Sequence, residues 1–112
     1  MAERSIIRET LLDQELPRTL GVSHVEVRRI TIAPSVTAGS HVHNGPVLGN
    51  IELGSVIFQV GDGRAVILRA GDVFHEPADT VITRFDATDE GVTFLGYFLL
   101  DDGRSPEITF VD

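Results

Sequence analysis

Short stretches in which apolar and polar residues alternate recur along the whole chain, separated by turn-forming residues. Val25 to Ala33 alternates up to Pro34, and Asn50 to Val60 is rich in β-branched residues. Residues 64–69, Val73 to Glu76, Val81 to Asp86 and Val92 to Leu100 complete the set. Between them lie Gly61-Asp62-Gly63, Ala70-Gly71-Asp72, Pro77-Ala78-Asp79 and Thr88-Asp89-Glu90-Gly91, each with the chemistry of a turn. The Asp-Gly step after Val60 is a strong hairpin signal. Many short strands at this spacing predict an all-β sandwich or barrel, with helix below about one-fifth, where globular domains average about one-third. Ser5 to Leu12 is ambiguous, since Ile6, Ile7, Leu11 and Leu12 suit either a helical face or an N-terminal strand.

The chemistry-bearing segment is Gly-Ser-His-Val-His-Asn-Gly-Pro-Val-Leu-Gly-Asn-Ile-Glu-Leu-Gly, residues 39–54. Successive side chains of a strand point to opposite faces, so His41 and His43 land on one face a few ångströms apart. Two imidazoles so placed are how a β-protein offers two nitrogens to one metal ion. Gly39, Gly45, Pro46, Gly49 and Gly54 would break a helix here, which favours the strand reading.

The wider spacing resembles the two sequence motifs of the cupin family. His41, His43 and Gly54 fall in register with the first motif, and Ser35 stands where its first Gly is expected. Gly71 and Pro77 match the second motif, in which Asp79 replaces a Gly and Asp86 an Asn. The resemblance covers most of the chain and implies a cupin jelly-roll β-barrel. It also implies a metal held by the two first-motif histidines, a Glu and the second-motif His. Here the Glu position is Val47, or Leu48 with the longer spacer, and the second His position is Ile82, so two of the four ligands are absent.

Two substitutes stand nearby. Alternation groups Val73 with His75 and Phe74 with Glu76, so one pair faces the interior. If Val73 faces in, His75 joins His41 and His43 in a three-His site; if Phe74 faces in, Glu76 makes a two-His-one-carboxylate set. The residues expected to line the interior are Val47, Ile51, Leu53, Ile82 and Phe74 or Phe85. With His41 and His43 on its wall, such a pocket suits a small organic ligand. The absent ligands weigh toward a ligand-binding barrel with a reduced metal centre. The alternative is a metal-dependent oxygenase, isomerase or lyase using Zn, Ni, Fe or Mn on His41, His43 and His75.

Composition bounds the remaining choices. At 112 residues with 42 % hydrophobic positions the chain is expected to form one domain. It has no cysteine and no lysine, which excludes a thiol nucleophile, a disulfide framework and a side-chain Schiff base. A net charge of −8 without a basic cluster argues against nucleic acid and anionic membrane surfaces as partners. No apolar run approaches a membrane span, and the first residues do not read as a secretory signal, so a cytoplasmic location is expected. Small cupins often pair an N-terminal strand with a second subunit, so the resemblance implies a homodimer.

Overall fold

The computed structural model describes residues 5–111. Seven strands follow in order: β1 (His24–Ile32), β2 (His41–His43), β3 (Val47–Val60), β4 (Val66–Arg69), β5 (Val73–Glu76), β6 (Ile82–Leu100) and β7 (Ile108–Phe110). Strands make up 53 % of the described residues with almost no helix, as the alternation requires.

All pairings are antiparallel, and the two long strands organise them. β6 pairs with β1 along residues 92–100, with β3 over most of its length, and with β2 at Ile82. β3 also pairs with β5 near its start and with β4 near its end. All seven strands belong to one hydrogen-bonded sheet, which β3 and β6 fold over into two facing layers, or sheets, β5-β3-β6-β1 and β4-β3-β6-β2-β7.

The passage between sheets is where the turn expected at Thr88 to Gly91 differs from what forms. β6 runs straight through these residues as strand, because β3 bends alongside it. Register shifts fall between Ile51 and Leu53 and between Gly54 and Val56, which is how bulges turn a strand pair together. Gly54 and Gly91 both take positive φ, 75° and 72°, at this corner. Across it the Ser55 hydroxyl lies 2.6 Å from the Thr88 hydroxyl and donates to Glu90 Oε1 at 2.6 Å. The residues that read as a turn are thus the corner of a bent strand.

Between the sheets lies a core built on Ile51, Val56, Ile82 and a stack of phenylalanines. Phe85 and Phe94 meet across the sheets with ring centroids 4.8 Å apart, and Phe74 touches both, at 5.2 and 5.9 Å. Burying each such side chain contributes roughly 1.5–3 kcal/mol. Gly49 makes room for this stack. A Cβ there would run into the Phe74 ring and lie 2.8 Å from the Leu95 carbonyl oxygen.

Two differences lie at the ends. Ile6, Ile7, Leu11 and Leu12 form neither helix nor strand and stay exposed on the single chain, Ile7 at 91 %. The C-terminal tail, which carries no strand signal of useful length, supplies β7 against β2. The Asn44 side chain fixes its approach, donating to the Ser105 carbonyl and accepting from the Glu107 amide, both at 3.0 Å.

Candidate metal centre

The β2 strand presents His41 and His43 on the interior face of one sheet, and the end of β5 presents Glu76 from the other. The burial of β5 alternates so that Phe74 and Glu76 are buried while Val73 and His75 are half-buried on the outer side. One donor atom from each of His41, His43 and Glu76 lies within 4.8 Å of the others. Glu76 Oε1 is 2.9 Å from His43 Nε2 and 3.9 Å from His41 Nε2. The imidazoles stand edge to face, centroids 4.9 Å apart. His41 Nδ1 lies 2.7 Å from the Gly39 carbonyl oxygen, and donating to it leaves the Nε2 lone pair aimed at the centre.

Electrostatics agree with this arrangement. Burial opposes the charged form of Glu76, yet the hydrogen bonds and charges of His41 and His43 outweigh it and hold the carboxyl below its ordinary value. Burial likewise opposes protonation of His41. Attraction from Glu76, the Gly39 carbonyl and Asp86 overcomes that and raises its pKa. The group at the centre is therefore an ionised carboxylate, nearly sealed from water, with two imidazoles as its polar partners. An isolated charge so buried would be costly, so the imidazoles, or a cation between them, are what make it tolerable.

A cavity of about 160 Å³ adjoins the three side chains. Its remaining wall is almost wholly apolar, with Ile30 and Ile32 from β1, Val47, and the rings of Phe74, Phe85, Phe94 and Phe98. Of the residues expected there, His41, His43 and Val47 line it, and both Phe74 and Phe85 contribute rather than one. Ile51 and Ile82 do not reach it; both are fully buried in the core beside it. Leu53 falls at the bulge and is 67 % exposed, because the register shift after Ile51 breaks the alternation that would have turned it inward.

His75, expected as a third metal ligand, lies apart from the other two histidines. It shares the outer face of β5 with Val73, stands opposite Leu48 in the ladder, and is not brought to His41 and His43. Its Nε2 is buried without a hydrogen-bond partner among the described residues, and burial lowers its pKa against the pull of Glu76. The carboxylate set is the one the fold assembles.

Glu76 stands across the ladder from the place of the Glu expected by the first motif. It pairs directly with Val47, the position at which that motif carries its Glu. Residues opposite each other on one face of a ladder have Cβ atoms about 5 Å apart, so the carboxylate arrives at the same level from the neighbouring strand. The second missing ligand has no such replacement, since Ile82 pairs with His41 and is sealed in the core. The two positions where the motifs carry Gly but this chain does not, Ser35 and Asp79, have φ of 64° and 55°. Among the described residues they are the non-glycine positions in the left-handed region. The backbone bends of the motifs survive the loss of their glycines.

Three comparisons bear on the architecture. No protein-family profile matches the chain, and no curated protein matches it. Solved structures do. Oxalate oxidase, determined with the substrate analogue glycolate, superposes with TM-score 0.66 and 21 % identity over 78 % of this chain and 46 % of that one. A cupin-like protein from Thermotoga maritima gives TM-score 0.66 and 23 % identity over 77 % and 65 %. The chain has a cupin fold. An uncharacterized conserved protein with a double-stranded β-helix domain from Klebsiella pneumoniae gives TM-score 0.64 and 18 % identity over 84 % and 80 %. The chain spans about half the length of the oxalate oxidases it matches. Likeness at these identities carries the fold and leaves activity to the site itself.

Phe94, Phe98, Ile30, Ile32, Ala38 and Ile108 are the wall residues that sequence reasoning missed. The signal for Ile30 and Ile32 was present, since both sit on one parity of the alternating β1 run, and Phe94 and Phe98 share one parity of β6.

Proposed function

We propose that this cupin binds one divalent first-row transition metal through His41 Nε2, His43 Nε2 and a Glu76 carboxylate oxygen, and holds a small, largely apolar organic molecule beside it. The observation that carries the reading is the convergence of three buried donors, from two sheets, on one point at the wall of an apolar cavity. Two imidazoles and a carboxylate are a donor set used for iron(II) and for zinc, with positions left open. Bound there, such an ion would supply Lewis acidity or open coordination positions for a substrate or O2. The chain supplies the rest. Gly39 orients His41, Glu76 provides the negative charge, and the phenylalanine wall excludes water. A cavity of about 160 Å³ resembles in size an engineered cavity of about 150 Å³ that takes up benzene, which limits the buried part of a ligand to roughly that size.

A second reading rests on the 2.9 Å contact between His43 and Glu76, which satisfies the carboxylate without a metal. The cavity would then bind its ligand alone. Titration of the metal-free protein with Co(II), followed by its visible spectrum, separates the two. Saturation at one equivalent is expected, and no spectral change up to millimolar Co(II) would favour the metal-free pocket.

Affinity for the metal is expected to fall with acid, because each imidazole must be neutral to bind. Below the histidine range, near 6.5, the loss should approach about tenfold per pH unit for each protonated imidazole. The raised pKa of His41 in the metal-free protein means that proton competition begins above the ordinary value. Affinity measured from pH 8 to 5 checks this; a flat profile would contradict it.

A homodimer, in the cytoplasm, completes the proposal. Ile6, Ile7 and Leu11 are exposed on the single chain, and Leu12 lies against an outer groove formed with Val25, Leu48, Val73, Tyr97 and Leu99. An apolar segment of this kind on an unpaired face invites association. Sedimentation at micromolar concentration is expected to give twice the chain mass, and Ile7→Asp to shift it toward the monomer.

A further inference from the structure

Alternation along β1 places Glu26, Arg28, Ile30 and Ile32 on one face, and Ile30 and Ile32 line the metal-side cavity. Two residues before Ile30 in the same row, where the strand is exposed, the side chain is an arginine. An outer chamber of about 130 Å³ lies there, lined by Arg28 together with Pro106 and Glu107. It shares Ile30, His43, Phe98 and Ile108 with the inner cavity, so the two lie on either side of the same four side chains.

Arg28 is exposed, with 46 % of its side chain accessible, but two contacts hold its guanidinium. Its guanidinium lies 5.4 Å from the centroid of the Phe98 ring, and that ring meets His43 edge-on at 6.0 Å. Its Nε donates to Glu26, which leaves the two terminal nitrogens with no partner among the described residues. Among the described residues it is the one arginine lining the outer chamber. A guanidinium stacked on an aromatic ring, with one edge anchored and the other open, is preorganised for two-pronged recognition of a carboxylate.

We propose that Arg28 receives the anionic head of the ligand, and that the ligand class is a small monocarboxylate. Its carboxylate sits on the terminal nitrogens of Arg28, and its apolar body runs past the touching His43 and Phe98 rings, along Ile30 and Ile108, toward the cavity beside His41, His43 and Glu76. The inference rests on the reading of those three residues as a metal centre. Glu107 lines the same chamber and Glu26 already occupies one edge of the guanidinium, so a second negative charge on the ligand is disfavoured.

The probes are pentanoate and its neutral counterpart pentanamide, titrated calorimetrically into the full chain, metal-free and loaded with one equivalent of Zn(II). Zinc content is measured separately. Pentanoate is expected to bind the zinc-loaded protein at least about tenfold more tightly than pentanamide, as a charge-assisted pair requires. Arg28→Gln should abolish that preference at unchanged zinc content and leave pentanamide affinity as it was. Glu107→Gln, which removes repulsion without touching the Arg28 stack, should tighten pentanoate. A preference that survives Arg28→Gln, or a Glu107→Gln variant that weakens pentanoate, overturns the proposal. So does a preference that depends on zinc and not on Arg28, which would place the carboxylate on the metal. Binding of neither probe by either form at millimolar concentration overturns it as well. Failure of the metal reading looks different: no zinc is retained, while an Arg28-dependent preference for pentanoate persists in the zinc-free protein and supports Arg28 alone.

Discussion

Glu76→Gln is expected to lower affinity for Zn(II) or Co(II) by at least about 100-fold, since loss even of a residue that only supports a ligand costs about 10- to 100-fold. The change keeps the shape of the side chain and removes its charge and its better donor oxygen. Glu76 is held ionised by the two imidazoles, so its charge is present to be lost at neutral pH. His75→Ala is the matching control. That residue points to the opposite face of β5, so metal affinity should change by less than about threefold. In a three-His site the order would be reversed: His75→Ala would abolish binding and Glu76→Gln would leave it nearly intact. Equilibrium competition against a chromophoric chelator measures both variants on one scale.

Gly54→Ala is expected to cost about 2–4 kcal/mol of stability. Two effects add. The residue has φ of 75°, where a side chain costs about 1 kcal/mol relative to glycine. Its Cβ would also run into the Gly91 carbonyl oxygen, lie 2.8 Å from the Gly91 carbonyl carbon and 3.2 Å from Val92 Cα. Those are backbone atoms at the corner where both long strands turn, so relief requires β3 and β6 to part, and overpacking of this kind typically costs about 1–3 kcal/mol more. At about 4 °C per kcal/mol for a domain of this size, Tm should fall by about 8–16 °C. Gly61→Ala isolates the first effect, because its φ is 55° but nothing lies within 4 Å of the added Cβ. Its cost should be near 1 kcal/mol. Urea unfolding of the two variants gives the comparison; equal losses would show that the corner has no steric constraint.

The fold was legible in the sequence because period-two alternation and turn chemistry both survive without any knowledge of tertiary contacts. The strands around His41, Asn50 and Phe94 could be placed on that basis. What alternation could not show is how two strands bend together. Thr88 to Gly91 has the composition of a turn and becomes the corner of β6, since Gly54 across the ladder turns with Gly91. The same bulge turned Leu53 outward. β7 was missed because three residues are too few for a periodic signal, and its place is set by β2 and Asn44, more than 60 positions away along the chain.

At the site, His41, His43 and Val47 were readable from spacing, and the pair choice on β5 was not. Alternation ties Glu76 to Phe74 but does not say which face looks inward; the pairing of β5 with Val47 and Gly49, and the space Gly49 leaves for the Phe74 ring, decide it. Arg28 was also out of reach. Its position on the Ile30 row of β1 means nothing until Ile30 and Ile32 are seen to line the cavity.

The most direct test is the metal content of the full chain, expressed without an affinity tag and purified without chelators, by inductively coupled plasma mass spectrometry alongside the Glu76→Gln variant. One equivalent of a first-row transition metal in the native protein, and less than about one-tenth of that in the variant, is the expected result, the drop following from an affinity loss of about 100-fold. A native protein that carries no metal and takes up none on dialysis against Zn(II), Fe(II), Mn(II), Co(II) or Ni(II) would contradict the assignment of His41, His43 and Glu76 as a metal centre.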